Sequence, residues 1–216
     1  MTTYKQDKKK HGIFITFEGV EGSGKSVQCE LLYKYLLSKK YNVLITKEPG
    51  GTMVGEKIRD ILLDSDEDID VYTELFLYLA DRAEHLAKII NTNLEKDNIV
   101  ISDRHFDSTI AYQMAGRGIK EEELNLLKNL KLFSKREPDV TFLLDVDPEE
   151  VRNRIKNPDR IERENIDFHR RVRKAYLDLA RKNMDRFVVI DSRKTIEEIH
   201  EKIKKEISVL LDRGVV

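Results

Sequence analysis

Cys29 is the single cysteine among 216 residues, so the chain can form no internal disulfide. It falls on the apolar side of a helical pattern, where a buried core thiol is expected. Net charge is also scarce. Lys and Arg number 39 against 40 Asp and Glu, which argues against binding nucleic acid through bulk charge. No apolar run approaches the roughly 20 residues that cross a bilayer. The opening segment Met1 to Gly12 carries Lys5, Lys8, Lys9 and Lys10 without the apolar stretch of a signal peptide, and reads as a solvated tail. A cytoplasmic protein that binds neither membrane nor nucleic acid is the expectation. There is no internal repeat, low-complexity stretch or dividing linker, so residues 13–216 are expected to form one domain.

What is present is a regular alternation. Short β-branched or aromatic runs at Ile13–Phe17, Val43–Thr46, Ile99–Ser102, Val140–Val146 and Phe187–Ile190 are separated by helical patterns. Their nearly continuous apolar character predicts strands covered on both faces, hence a five-stranded parallel sheet in a three-layer α/β fold. Helices are predicted near Lys25–Ser38, Val54–Leu63, Tyr72–Glu95, Ser108–Ala115, Glu121–Phe133, Pro148–Ile155, Ile161–Asn183 and Ile196–Asp212. In such sheets ligands sit beyond the carboxyl ends of the strands, so the residues after each strand should share one cleft.

After the first strand comes Gly19-Val20-Glu21-Gly22-Ser23-Gly24-Lys25-Ser26, a G-x-x-x-x-G-K-[ST] phosphate loop leading into a helix. Glycines let successive backbone N–H groups turn inward around phosphate oxygens, and the helix directs its positive dipole end to the same point. Lys25 would neutralise the β- and γ-phosphates, and the Ser26 hydroxyl would ligate Mg²⁺ brought with a nucleoside triphosphate. After the third strand, Asp103-Arg104 places a carboxylate and a planar guanidinium at the cleft floor. Tyr78 and Arg82 stand four apart on one helical face, while Phe76 is read as ordinary packing. His105 is read as a packing or hydrogen-bonding histidine. The segment 151–163 concentrates Arg152, Arg154, Lys156, Arg160 and Arg163 around the turn Asn157-Pro158, as a short lid would.

The phosphate loop, Glu48-Pro49-Gly50-Gly51-Thr52, Asp103-Arg104-His105 with Ser108 and Ala111-Tyr112-Gln113, Gly116-Arg117-Gly118, Pro138-Asp139-Val140-Thr141 and Asp159-Arg160-Ile161-Glu162 occur in this order from Ile13 to about Asp212. In this combination the chain resembles the bacterial thymidylate kinases. The resemblance implies the phosphate-loop kinase fold, ATP and thymidine monophosphate as substrates, Mg²⁺ as cofactor, and a homodimer. It implies that Asp103 helps organise the metal while Arg104 grips the acceptor phosphate. Tyr78 would cover the thymine ring and Arg82 would bond a base carbonyl. Thr109, Tyr112 and Gln113 would face base and sugar, with Tyr112 excluding a ribose 2′-hydroxyl. Glu21 would reach the 3′-hydroxyl side of the sugar, and Glu48 and Pro49 would border the acceptor.

Some relatives place an arginine inside the loop where this chain has Gly22, so lid arginines, Arg154 and Arg160 foremost, are expected on the transferred phosphoryl group. Lys47 stands where arginine is commoner, His105 where tyrosine is commoner, and Val27 where a second hydroxyl is usual. Two other classes stay open on the residues alone. One is a kinase for a different nucleoside monophosphate or a deoxynucleoside; the other is a phosphate-loop regulatory ATPase or degenerate binding module. No N-K-x-D motif supports a guanine-nucleotide switch.

Overall fold

The computed structural model describes residues 12–64, 68–123, 136–154 and 156–212. Five strands, β1 (Phe14–Glu18), β2 (Val43–Lys47), β3 (Ile99–Asp103), β4 (Val140–Asp145) and β5 (Phe187–Asp191), run parallel in the order β2-β3-β1-β4-β5. The first strand is thus central, and the phosphate loop leaves the middle of the sheet. Helix α1 (Lys25–Ser38) follows that loop, and α2 (Met53–Asp64) follows β2. Helix α3 (Val71–His85) continues through a π-helical stretch, Leu86–Ile90, into α4 (Asn91–Leu94). Helix α5 (Phe106–Thr109) widens into a second π-helical stretch, Ile110–Gly116. After β4 come α6 (Pro148–Val151), a 3₁₀ turn at Arg152–Arg154, α7 (Ile166–Lys182) and, beyond β5, α8 (Ile196–Leu210).

Alternation along β1 builds the two outer layers, because successive side chains leave a strand on opposite faces. Ile13, Ile15 and Phe17 pack with Cys29, Leu32 and Leu36 of α1 and with Ile199, Ile203 and Ile207 of α8. The isoleucines of α8 recur every fourth residue, and a Thr195–Glu198 capping box starts that helix. Each such side chain contributes roughly 1.5–3 kcal/mol by leaving water. On the other face Phe14 packs with Leu86, Ile90, Leu94 and Val100, while Leu143 and Val146 pack with Phe168, Val172 and Tyr176 of α7.

The fold class is the one expected from the sequence, but several boundaries move. The helix predicted from Ile161 begins at Ile166, because the Asn165 side chain accepts the Phe168 N–H at 2.9 Å and caps it there. Upstream, Asp159 and Glu162 exchange backbone-to-carboxylate bonds of 2.9 Å each, closing a turn. The long helix near Tyr72–Glu95 is present but contains a π-helical stretch. Of the predicted helix Glu121–Phe133, residues 124–133 lie outside the described residues, as do residues 1–11 of the tail. Phe76 is 56% exposed, because Leu75 and Leu79 occupy the inward face of α3, correcting its reading as a packing residue. Cys29 is buried, and His105 packs edge-on against Phe14 with ring centroids 5.0 Å apart.

Candidate active site

The phosphate loop wraps as glycine permits. A Cβ at Gly19 would stand 2.5 Å from the Leu144 carbonyl oxygen, and Gly24 starts α1 with a φ of +91°, in the left-handed region. The Lys25 ammonium donates to the carbonyls of Gly19 (3.1 Å) and Val20 (2.9 Å), so it lies folded across the curve of the loop. Burial, with Arg104 adding to it, pushes its pKa down to about 8 against the pull of Asp103, Glu21 and Glu18. Ser192 braces the loop from β5's end by donating its hydroxyl to the Ser23 carbonyl at 2.5 Å.

Ser26 and Asp103 meet at the mouth of the loop, where the Ser26 hydroxyl donates to Asp103 Oδ2 at 2.5 Å. A hydroxyl and a carboxylate are hard oxygen donors, which fits magnesium. Among the described residues no group of three or more His, Cys, Asp or Glu side chains could hold a metal. Two protein oxygens therefore suit an ion that keeps phosphate oxygens and water as its other ligands.

Beyond them opens a cavity of about 250 Å³ that Lys25, Ser26, Asp103 and Arg104 share with Tyr78, Arg82, Thr109, Tyr112 and Gln113. Arg104 is its central cation. Nη2 donates to Glu21 Oε1 (2.9 Å) and Tyr112 (3.1 Å), and Nη1 donates to the Gly19 carbonyl and Tyr176 hydroxyl (3.1 Å each). Glu21 also accepts from the Tyr112 hydroxyl at 2.6 Å. Its Oε2 lies 3.5 Å from His169 Nδ1 with no closer partner. Burial alone would raise the Glu21 pKa, but Arg104, His169 and Lys25 together hold it far below the usual carboxylate range.

Arg82 lies at the far end of the cavity, 2% exposed, with Nε on Glu48 Oε2 (2.7 Å), Nη1 on Thr109 (2.5 Å) and Nη2 on the His105 carbonyl (3.0 Å). Glu48 gives its other oxygen to His85 Nδ1 (2.9 Å) and His105 Nδ1 (3.1 Å). Burial pushes the Glu48 pKa up, and Arg82 with the two histidines more than reverses it, leaving the carboxyl well below its ordinary value. Glu48 borders the cavity, as expected, and directs both carboxylate oxygens into the protein, where they support Arg82. Three of the five Arg82 N–H groups are engaged, so donors remain for a ligand. Pro49 borders the cavity and its carbonyl accepts from Arg59 at 2.9 Å. Lys47 pairs loosely with Glu56 at 3.5 Å.

Gln113 donates to Glu74 at 3.1 Å, and the same buried carboxylate accepts from Arg117 (3.0 Å) and Arg160 (2.7 Å). Arg160 also bonds the Leu62 carbonyl at 2.8 Å. The expectation that Arg160 reaches the transferred phosphoryl group is therefore corrected: two partners hold it between α2 and α3. Arg154 is differently placed, with Nη1 donating to the Gly22 carbonyl at 3.3 Å, directly over the phosphate loop.

Sequence reasoning missed Glu18, Arg59, Glu74, His169 and Tyr176. Glu18 had a signal, being a lone acid at the end of an apolar strand just before the loop. Tyr176 had none, since Phe168, Val172, Tyr176 and Ala180 read as an ordinary inward helix stripe. A second cavity, about 500 Å³, lies across the ends of β4 and β5, bordered by Asp145, Asp147, Asp191, Arg193 and Lys194.

The geometry can be set beside known proteins. A family model described as thymidylate kinase matches residues 17–203. A thymidylate kinase of Carboxydothermus hydrogenoformans is 48% identical over 198 residues, covering 89% of this chain and 95% of that protein. One of Halothermothrix orenii is 44% identical over 200 residues, covering 89% and 94%. The crystal structure of thymidylate kinase from Ehrlichia chaffeensis superposes with a TM-score of 0.76 at 38% identity, over 92% of this chain and 99% of that one. A phosphate loop, an adjoining acceptor cavity and this extent of likeness lead to one conclusion: the chain belongs to the thymidylate kinase family.

Proposed function

We propose that this chain carries out its family's reaction, transfer of the γ-phosphoryl group of ATP to the 5′-phosphate of thymidine monophosphate, with the nucleotides entering from opposite sides of the phosphate loop. The observation that carries this reading is the single cavity joining Lys25, Ser26, Asp103 and Arg104 to an aromatic and amide-lined end at Tyr78 and Gln113. ATP's phosphates take the backbone curve now spanned by Lys25, and its base lies toward the cavity at the ends of β4 and β5. The acceptor fills the cavity on the β3 side. Its phosphate meets Arg104, its 3′-hydroxyl lies toward Glu21, and its base lies between Tyr78 and the remaining donors of Arg82.

The attacking phosphate oxygen is already anionic, so no strong general base is required. Catalysis is alignment and charge neutralisation. Arg104 holds one reactant, Lys25 the other, and Arg154, which donates to the Gly22 carbonyl, supplies the lid cation for the transferred group. Ser26 and Asp103 would hold Mg²⁺, which supplies further charge neutralisation on the triphosphate. Tyr112, pinned to Glu21 and lining the same cavity, is the residue we assign to crowd a ribose 2′-hydroxyl.

We also read the enzyme as a cytoplasmic homodimer. Tyr72 and Phe76 of α3 are 47% and 56% exposed, an apolar pair on the helix face turned away from the protein's own core, and no helix of the described residues is long and apolar enough to cross a membrane. Turnover with ATP across thymidine monophosphate, the other nucleoside monophosphates and thymidine tests the substrate assignment. Fast reaction with another acceptor and none with thymidine monophosphate would overturn it.

A further inference from the structure

Glu18 is the last residue of β1 and is completely buried. Strand alternation turns it away from Phe17 and toward α5 and α7. Among the described residues no arginine or lysine bonds it directly. Its Oε1 accepts the His105 backbone N–H at 2.8 Å, and its Oε2 accepts the hydroxyls of Ser108 (2.7 Å) and Tyr176 (2.8 Å).

Each of these donors is tied to Arg104. The His105 amide belongs to the peptide that follows Arg104, and Arg104 has a φ of +76°, a left-handed conformation unfavourable for a residue with a side chain. That conformation is fixed on every side. The Arg104 N–H donates to the Phe17 carbonyl (2.9 Å), its carbonyl accepts from Ser102 (2.8 Å), and the next N–H goes to Glu18. The two hydroxyls lie between carboxylate and guanidinium. Tyr176 and Ser108 accept from Arg104 Nη1 at 3.1 and 3.3 Å while donating to Glu18. The two hydroxyl oxygens also lie 2.8 Å apart, so a bond between them competes for one proton; a carboxylate that takes both protons leaves both oxygens free to accept from the arginine and so sets their polarity.

We propose that Glu18, which lies behind the cavity rather than in its lining, is the positioning residue that presents Arg104 to the acceptor phosphate, holding the left-handed backbone through His105 and aiming the guanidinium through Ser108 and Tyr176. The proposal rests on the reading of Arg104 as the clamp for that phosphate. Glutamine in its place has the same shape but directs an N–H₂ group at donors, which breaks the relay. Tyr176→Phe removes one arm and leaves the ring's packing.

The experiment measures, by calorimetry on the full chain at about pH 8.5, where Glu18 is ionised, dissociation constants for thymidine monophosphate and for ADP in the parent, E18Q, Y176F, R104A, and the double variants E18Q/R104A and Y176F/R104A. E18Q is expected to weaken thymidine monophosphate roughly tenfold and Y176F about threefold, the scale of a charge-assisted hydrogen bond lost behind the contact. ADP affinity should stay within about twofold. In the R104A background neither change should weaken the acceptor further, since the group being positioned is gone. The same loss with and without Arg104, an equal loss for ADP, or parental acceptor binding in both variants would each overturn the proposal. Should E18Q fail to fold, Y176F decides by the same criteria. R104A alone binding the acceptor like the parent would instead overturn the clamp reading beneath it.

Discussion

Replacing Glu48 with glutamine would test the buried charge network beneath the acceptor cavity. Glu48 and Arg82 are each 2% exposed at the side chain and joined by a 2.7 Å bond. Neither reaches water to recover solvation if the other loses its charge. The glutamine amide can accept from Arg82 and donate to the Nδ1 atoms of neutral histidines, but it leaves the buried Arg82 cation without a counter-charge. Breaking one partner of a buried pair costs about 3–5 kcal/mol, a large share of the roughly 5–15 kcal/mol by which such domains are stable. For a chain of this length that corresponds to a fall in melting temperature of roughly 10 °C. Calorimetric melts without ligand would measure it. Removing both charges together, as in Glu48→Leu with Arg82→Met, should be much milder than Glu48→Gln alone, because no ion is left unpaired. A Glu48→Gln protein melting within about 2 °C of the parent, or a double variant worse than the single, would refute the reasoning.

Four further outcomes are expected. Burial, with Asp107 adding to it and Arg104 opposing, raises the Glu18 pKa from 4.5 to about 7. The folded state then holds that proton more tightly than the unfolded chain, so stability from this group is complete below pH 4.5 and is lost as pH rises through 7, on the order of 3 kcal/mol. Urea titrations should show that fall in the parent and not in Glu18→Gln; parallel curves for the two between about pH 5 and pH 8 would contradict it. Ser26→Ala should raise the Mg²⁺ concentration for half-maximal rate roughly tenfold, and an unchanged requirement would remove Ser26 from the metal's ligands. Arg154→Ala should lower kcat by about 10² with little change in KM for either nucleotide. Arg160→Met should act mainly on stability, because it strips a partner from buried Glu74. Reversed effects for those two arginines would restore Arg160 to the phosphoryl group.

The parallel sheet, the phosphate loop and the pairing of Asp103 with Arg104 were legible in the sequence because each is written in consecutive residues: strand period, glycine spacing, a charged pair at a strand's end. Cys29 and the α8 isoleucines were legible for the same reason, since helical spacing alone selects their face. What lay between distant segments was not. Glu48 borders the acceptor in sequence logic, and only the tertiary structure shows that Arg82 and His85 of α3 and His105 after β3 converge on its carboxylate. Arg154 and Arg160 are equivalent cations six residues apart in one charged segment, and the tertiary structure separates them by offering Arg160 a buried carboxylate and Arg154 the loop's carbonyl. Tyr112 and Gln113 lie on a π-helical stretch that no local pattern announces. Local periodicity determines which side of an element is apolar; it does not determine which buried charge finds which partner, because that depends on how the layers close and on the cost of leaving any one of those charges alone.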